Sequence, residues 1–287
     1  MATKRADGNH IIAAGEVGVF SVCPQSWKLK SVDRESPVEK KKDAELGKYL
    51  HENWSSLFEE SLVLNKWIRY LAVLVSTALA IFLFVRPHQA PLGDLFDLSL
   101  KNHAIQLALL LMTSFLLIRT FGRAADRRRE DTGFTPTDKT VSIEGSSTLP
   151  AREYVSTAQG LAGKPDALLS ENGVVVPIEM KPLAKKLRDR YVAQLLVYMR
   201  LVEEFEGQRP PYGYLFLGPK CRRVKVDNSE AKQRWLQNMV DEMRKILDGA
   251  PATAAPHPIK CSKCDVRHRC TFRADASEAS DSGEQLI

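Results

Sequence analysis

Residues 163–198 read GKPDALLSENGVVVPIEMKPLAKKLRDRYVAQLLVY, and this stretch decides the fold. Asn172-Gly173 is a two-residue hairpin signal, because a type I′ turn needs positive φ at both central positions. It separates a short strand, 166–169, from a returning strand, 174–181. So tight a turn fixes the register, and that register puts Asp166 opposite Glu179 with both carboxylates on one face. Side chains alternate along a strand, so Glu179 and Lys181 share a face while Val174, Val176, Ile178 and Met180 form the apolar one. Two acids beside an ammonium suit metal-assisted phosphodiester cleavage. The carboxylates hold a hard divalent ion, Mg²⁺ or Mn²⁺, and Lys181 orients water or stabilises developing charge. The pairing alone is equally satisfied by a solvated polar face. Pro177 counts against a central strand.

Working outward, residues 183–206 read as a helix, with Leu187, Tyr191, Leu195, Tyr198, Val202 and Phe205 recurring at spacings of three and four. Gln194 and Tyr198 stand four apart and are neighbours on its surface. Lys185, Lys186, Arg188 and Arg190 crowd its first turns, where the helix dipole disfavours cations. The cluster reads as a phosphate-facing edge, with an ordinary solvated basic face as the alternative. A second hairpin follows, 212–217 and 222–226 around Gly218-Pro219-Lys220, then a helix over 230–247. Strands alternating with helices make this region an α/β core.

The whole chain has 287 residues, 44% hydrophobic and 26% charged, which excludes a disordered chain or a short disulfide scaffold. Lys plus Arg number 41 against 35 acids, a net charge of +6 that suits an anionic partner, either nucleic acid or lipid. Residues 1–10 are polar, with no secretory signal, so five cysteines point to a reducing compartment and ligand binding.

Two stretches stand apart from that average. Residues 67–85 (WIRYLAVLVSTALAIFLFV) carry one charge, Arg69, and residues 104–118 (AIQLALLLMTSFLLI) carry none. The first has the length of a membrane span, and the second reaches it when Arg119 snorkels and Phe121 is included. A buried helical hairpin is the alternative. Lys66, Arg69, Arg119, Arg123, Arg127, Arg128 and Arg129 flank the pair, whereas the loop between them holds only Arg86 and Lys101 against Asp94 and Asp97. The positive-inside rule then makes 63–121 a transmembrane hairpin, entering the membrane through 67–85 and 104–121, with both termini and the α/β core cytoplasmic. The remaining divisions are a helical segment over 1–62, a polar linker over 122–151, the core over 152–249, a cysteine module over 250–273 and a disordered acidic tail over 274–287.

The cysteine module places Cys261, Cys264 and Cys270 within ten residues, with Cys221 or Cys23 as a fourth ligand. Thiolates so close repel one another unless a metal or cluster neutralises them. Spacing alone favours structural zinc over iron–sulfur.

Taken together, Gly163-Lys-Pro-Asp166, Glu179-Met-Lys181 and Gln194-Leu-Leu-Val-Tyr198 resemble the RecB-type motif set of the PD-(D/E)xK nuclease superfamily. Cys23-Pro24 with the late cysteines is similar to its iron–sulfur branch, the CRISPR-associated RecB-like exonuclease family. Gln159-Gly-Leu-Ala162 and Leu46-Gly-Lys-Tyr-Leu-His51 fit as well. The resemblance implies a restriction-endonuclease-like α/β core with a helical N-terminal part and a cluster-stapled C-terminus. It implies metal ligation by His51, Asp166, Glu179 and the Met180 carbonyl, catalysis by Lys181, and a DNA-facing side at Gln194 and Tyr198. It implies a [4Fe–4S] cluster on Cys23, Cys261, Cys264 and Cys270. The implied substrate is single-stranded DNA cut from an end, with CRISPR or DNA-repair proteins as partners and phage defence as one setting. A zinc-stapled nucleic-acid-binding membrane adaptor without catalysis is the alternative. The chain departs from the family where the apolar hairpin and linker separate His51 from Asp166.

Overall fold

The computed structural model describes residues 3–4, 10–33, 41–85 and 98–274. The expected acidic tail from 275 onward and the loop 86–97 lie outside the described residues. In chain order the elements are β1 (Thr3–Lys4), β2 (His10–Ala13), α1 (Ala14–Phe20), α2 (Pro24–Ser31), α3 (Lys41–Val85) and α4 (Leu98–Asp131). There follow β3 (Lys139–Ile143), β4 (Tyr154–Ser156), β5 (Leu161–Gly163), β6 (Ala167–Glu171), β7 (Val174–Lys181) and α5 (Asp189–Glu206). The chain continues with β8 (Tyr212–Leu217), β9 (Arg222–Asp227), α6 (Glu230–Leu247) and α7 (Pro258–Ser262). It forms two compact units, Met1–Asn53 with Asp138–Ile287, and Trp54–Thr137, whose boundary falls inside α3.

In the first unit Asn172 and Gly173 take φ of 53° and 83° and close the β6–β7 hairpin. Its ladder runs from Ala167↔Ile178 to Glu171↔Val174, the register read from the turn. A five-stranded sheet in the order β3-β6-β7-β8-β9 grows around it. β7 pairs antiparallel with β6 and parallel with β8, and α5 makes the crossover that parallel strands require. Pro177 is accommodated in this central strand because β8 joins only from Ile178 onward, so β7 is paired on one side where the N–H is missing. β9 pairs with β8, and the helix over 230–247 is α6.

α5 packs on one face of the sheet. Leu195, Leu196, Met199 and Val202 join Leu168, Leu215 and Leu217 in one core, together with Val17 and Phe20 of α1 and Leu236, Val240 and Met243 of α6. A Cβ at Gly213 would stand 3.0 Å from the Leu195 side chain, so the bare backbone there lets the helix close on β8. The smaller sheet, β1-β2-β5-β4, carries α1 directly out of β2.

Three expectations need correcting. The helix begins at Asp189, not at 183. Arg188 is extended (φ −138°, ψ 146°), and Leu183 and Leu187 are exposed. The dipole explains the late start: Lys185, Lys186 and Arg188 would crowd its positive end, whereas Asp189 suits the first turn. Phe205, expected in the core stripe, is also exposed. The polar segment 122–151 holds more than a linker. It contains the end of α4 and the edge strand β3, paired with β6 from Lys139↔Ser170 to Ile143↔Ala167.

In the second unit the base of α3 meets the end of α4. Trp54 Nε1 donates to the Thr132 carbonyl at 2.8 Å, Phe134 packs on Trp54 and Phe58, and Arg129 lies 5.5 Å over the Phe58 ring. Both helices are long and apolar enough to cross a membrane. Trp67, Val73, Leu74 and Ile81 on α3, with Met112 and Phe115 on α4, are exposed.

Candidate active site

Asp166 lies one residue before β6, so its position is set by the end of the hairpin ladder. Its Oδ2 accepts from the Met180 amide at 2.6 Å, and its Oδ1 is 3.1 Å from His51 Nε2. Glu179 points from β7 towards α5, where its Oε1 accepts from Lys181 Nζ at 2.5 Å and Gln194 Nε2 at 2.8 Å. Gln194 also reaches the Tyr198 hydroxyl at 2.8 Å. The ring of Tyr198 lies against Gly163, where a Cβ would stand 2.6 Å from it, so a glycine is needed to seat this tyrosine beside the acids.

The structure therefore brings together His51, Asp166, Glu179, Lys181, Gln194 and Tyr198, and places the Met180 amide on Asp166. Lys185, Lys186, Arg188 and Arg190 are exposed on the loop into α5 and on its first turn rather than along a helix. Arg190 donates to the Tyr191 hydroxyl at 2.6 Å, and Lys181 Nζ stands 5.7 Å from the same ring. Sequence reasoning missed Glu144. It follows β3 directly, and its amide donates to the Asp166 carbonyl at 2.7 Å, extending the ladder by one residue. Ligand atoms of His51, Glu144 and Asp166 all lie within 4.8 Å of one another. The apolar alternation Val141, Ile143 was the available signal for β3.

Charge is concentrated here under burial. Glu179 is 3% exposed, and its Oε2 is buried with no hydrogen-bond partner among the described residues. Burial first, then the Asp166 carboxylate, pushes the Glu179 carboxyl up to about 8, with Lys181 pulling the other way. Burial lowers the Lys181 ammonium, but Glu179 beside it wins and the net shift is upward. His51 is raised by its hydrogen bond to Asp166, against burial. Burial lifts the Tyr198 hydroxyl well above its ordinary value. Acids held so close against their own repulsion, with one orphaned oxygen, fit a divalent cation.

These shifts set a pH dependence for the protein stripped of divalent ions. Glu179 binds its proton more tightly folded than unfolded, so stability declines as pH rises from its ordinary 4.5 towards 8. The His51 contribution has the same sign, being complete below 6.5 and lost as pH climbs through the raised value. The melting temperature should fall by several degrees from about pH 5 to about pH 8.5, and Glu179→Gln should remove most of that slope. A flat wild-type profile would contradict the burial argument.

The five cysteines form no disulfide. Burial raises the Cys270 thiol, and Cys23, Cys261 and Cys264 each add to the shift, which places the N-terminal cysteine with the late three. Ser26 Oγ lies 3.5 Å from Cys264 Sγ, the His257 amide donates to Cys261 Sγ at 3.5 Å, and Lys30 pairs with Asp265 at 2.8 Å. Cys221 is buried beside the β8–β9 turn and is not among the sulfurs acting on Cys270.

A sequence profile described as the PD-(D/E)XK nuclease superfamily matches residues 12–271. Over 117 residues the chain is 29% identical to the CRISPR-associated exonuclease Cas4 of Thermoproteus tenax, covering 40% of this chain and 62% of that relative. The chain thus spans less than two thirds of that relative's length. A solved structure described as "Crystal structure of SSO0001" aligns with a TM-score of 0.30 and 13% identity, covering 61% of this chain and 78% of the other.

Proposed function

This chain belongs to the PD-(D/E)XK nuclease superfamily, a family of phosphodiester hydrolases, and from that premise we propose that it is a metal-dependent DNA nuclease. We further propose that it degrades single strands from an end at the cytoplasmic face of a membrane. The observation that carries the reading is the buried acidic centre in which Asp166 and Glu179 face each other with Lys181 on the same carboxylate. His51, Asp166 and Glu179, with the Met180 carbonyl, would hold Mg²⁺ or Mn²⁺. Such an ion would lower the pKa of a bound water, so that once deprotonated it can attack phosphorus, and would neutralise phosphate charge.

The protein's own groups do the rest. Gln194 fixes Oε1 of Glu179, while the buried Oε2 has no hydrogen-bond partner among the described residues. Lys181 holds a positive charge where the attacked phosphate gains negative charge. Exposed Lys185, Lys186, Arg188 and Arg190 offer backbone contacts to the DNA. The exonuclease assignment draws on the Thermoproteus relative's name, as does a setting beside CRISPR or DNA-repair proteins.

For the cysteines the reading is a [4Fe–4S] cluster rather than zinc, and it rests on the resemblance to the iron–sulfur branch and on the grouping of Cys23 with the late three. Cys23, Cys261 and Cys264 each help raise the Cys270 thiol, which groups the N-terminal cysteine with the late three as such a cluster requires.

For the membrane, support comes from the exposed apolar sides of α3 and α4 and the arginines flanking them. The protein should sediment with membranes and resist salt washing, and a tag within 87–102 should be reachable only from outside. Full solubility without detergent would make the two stretches a helical hairpin of a soluble protein.

The nuclease reading is tested by anaerobic purification in detergent, followed by a Mn²⁺ assay on end-labelled single strands and an optical spectrum of the same sample. Metal-dependent release of nucleotides from one end is expected. Absence of cleavage with Mn²⁺ or Mg²⁺ in a folded, cluster-loaded sample would overturn it.

A further inference from the structure

We propose that Glu144, outside the nuclease motifs, is a further ligand of the same divalent ion, and that Lys164 is the residue that positions it. The inference rests on the nuclease reading above. Glu144 is locked to the site by backbone, since its amide donates to the Asp166 carbonyl at 2.7 Å. Its two oxygens have different surroundings. Oε2 lies 3.5 Å from His51 Nε2, which is itself 3.1 Å from Asp166 Oδ1, while Oε1 accepts from Lys164 Nζ at 2.5 Å. One imidazole and two carboxylates thus present ligand atoms within 4.8 Å of one another. His51 Nε2 reaches both carboxylates, and the Met180 amide ties Asp166 to the strand beside Glu179.

An ordinary surface ion pair explains less. Lys164 and Glu144 side chains are 44% and 36% exposed, and a pair so open to water contributes little to stability. What the pair does achieve is orientation. A carboxylate gripped by its outer oxygen presents the inner one in a fixed direction, as groups behind metal ligands commonly do. Lys164 stands two residues before Asp166, so the strand entry that delivers one ligand also delivers the clamp for another.

Lys164 has two other conceivable roles, each with a different sign. As a competitor for Glu144 it would weaken metal binding. As a phosphate contact it would leave metal binding alone and act on DNA. The test is Mn²⁺ titration of the full, cluster-loaded chain in detergent without DNA, followed by the resonance of free Mn²⁺, with melting curves as the check on folding. Glu144→Gln should weaken Mn²⁺ binding at least about tenfold, since losing a ligand costs no less than losing a partner behind one. Lys164→Met should weaken it several-fold, and Lys164→Arg should restore it. Wild-type affinity in Glu144→Gln overturns the proposal. So does tighter binding in Lys164→Met, or unchanged affinity with a raised KM for DNA. Should Glu144→Gln fail to fold, the two Lys164 variants decide. If the wild-type protein itself binds no Mn²⁺, the nuclease reading fails first and this one with it.

Discussion

Exchanging Lys181 for methionine is expected to lower DNA cleavage on the order of a thousandfold, the scale of removing one preorganised charge from a developing oxyanion. Lys181 Nζ sits 2.5 Å from Glu179 Oε1 and 5.7 Å from the Tyr191 ring centroid, a position held by two elements rather than by solvent. The substitution has a second consequence of known sign. Lys181 pulls the Glu179 carboxyl down against burial, so its loss sends that carboxyl still higher and weakens metal binding at neutral pH. Raising the pH deprotonates Glu179 and should return Mn²⁺ binding in Lys181→Met without returning turnover. Glu179→Ala, by contrast, should lose both at every pH while the basic loop still binds DNA. Single-turnover cleavage measured beside Mn²⁺ titration separates the two. Cleavage within tenfold of wild type in clean Lys181→Met would remove this hairpin from the chemistry.

The hairpin was legible because a two-residue turn leaves one register. Asn172-Gly173 fixes Ala167 opposite Ile178, and the same count carries Asp166 to Glu179. α6 and the β8–β9 hairpin were equally plain, one from helical periodicity and one from its Gly-Pro turn. What failed were features that depend on contacts distant in sequence. β3 is a five-residue edge strand among turn residues, recognisable as a strand only once β6 is there to pair with it. Glu144 was hidden for that reason, as was its meeting with His51 on α3. The start of α5 was misplaced because apolar spacing through Leu187 outweighed the charges beside it, whereas in the folded chain the dipole decides. Pro177 looked like an obstacle to a central strand because sequence alone does not show where β8 begins to pair.

Changing any of Cys23, Cys261, Cys264 or Cys270 to serine is expected to bleach the anaerobic protein and to destabilise the nuclease core, whereas Cys221→Ser should keep the colour. The size of the effect follows from what the cysteines join. Cys23 stands between α1 and α2, and α1 packs through Val17 and Phe20 into the core that holds α5, the helix carrying Gln194 and Tyr198. The other three sulfurs lie near the end of the chain. Direct contacts already join the two ends: Gln25 donates its amide to the Thr253 carbonyl at 3.2 Å, and Ser26 meets Cys264 across 238 residues of sequence. These are few and partly exposed, and by themselves they hold a closed loop of that length weakly. A covalent link across it restricts the unfolded chain by on the order of a few kcal/mol, by analogy with disulfides. That is a large share of the stability of an ordinary domain, on the order of 10 kcal/mol. Cleavage should therefore fall in the serine variants in step with the folded fraction, and lowering the temperature should recover part of it. A direct role in catalysis predicts no such recovery. A colourless anaerobic preparation holding one equivalent of zinc would replace the cluster with a zinc staple. Loss of colour on changing Cys221 but not Cys23 would break the link between the two ends of the chain.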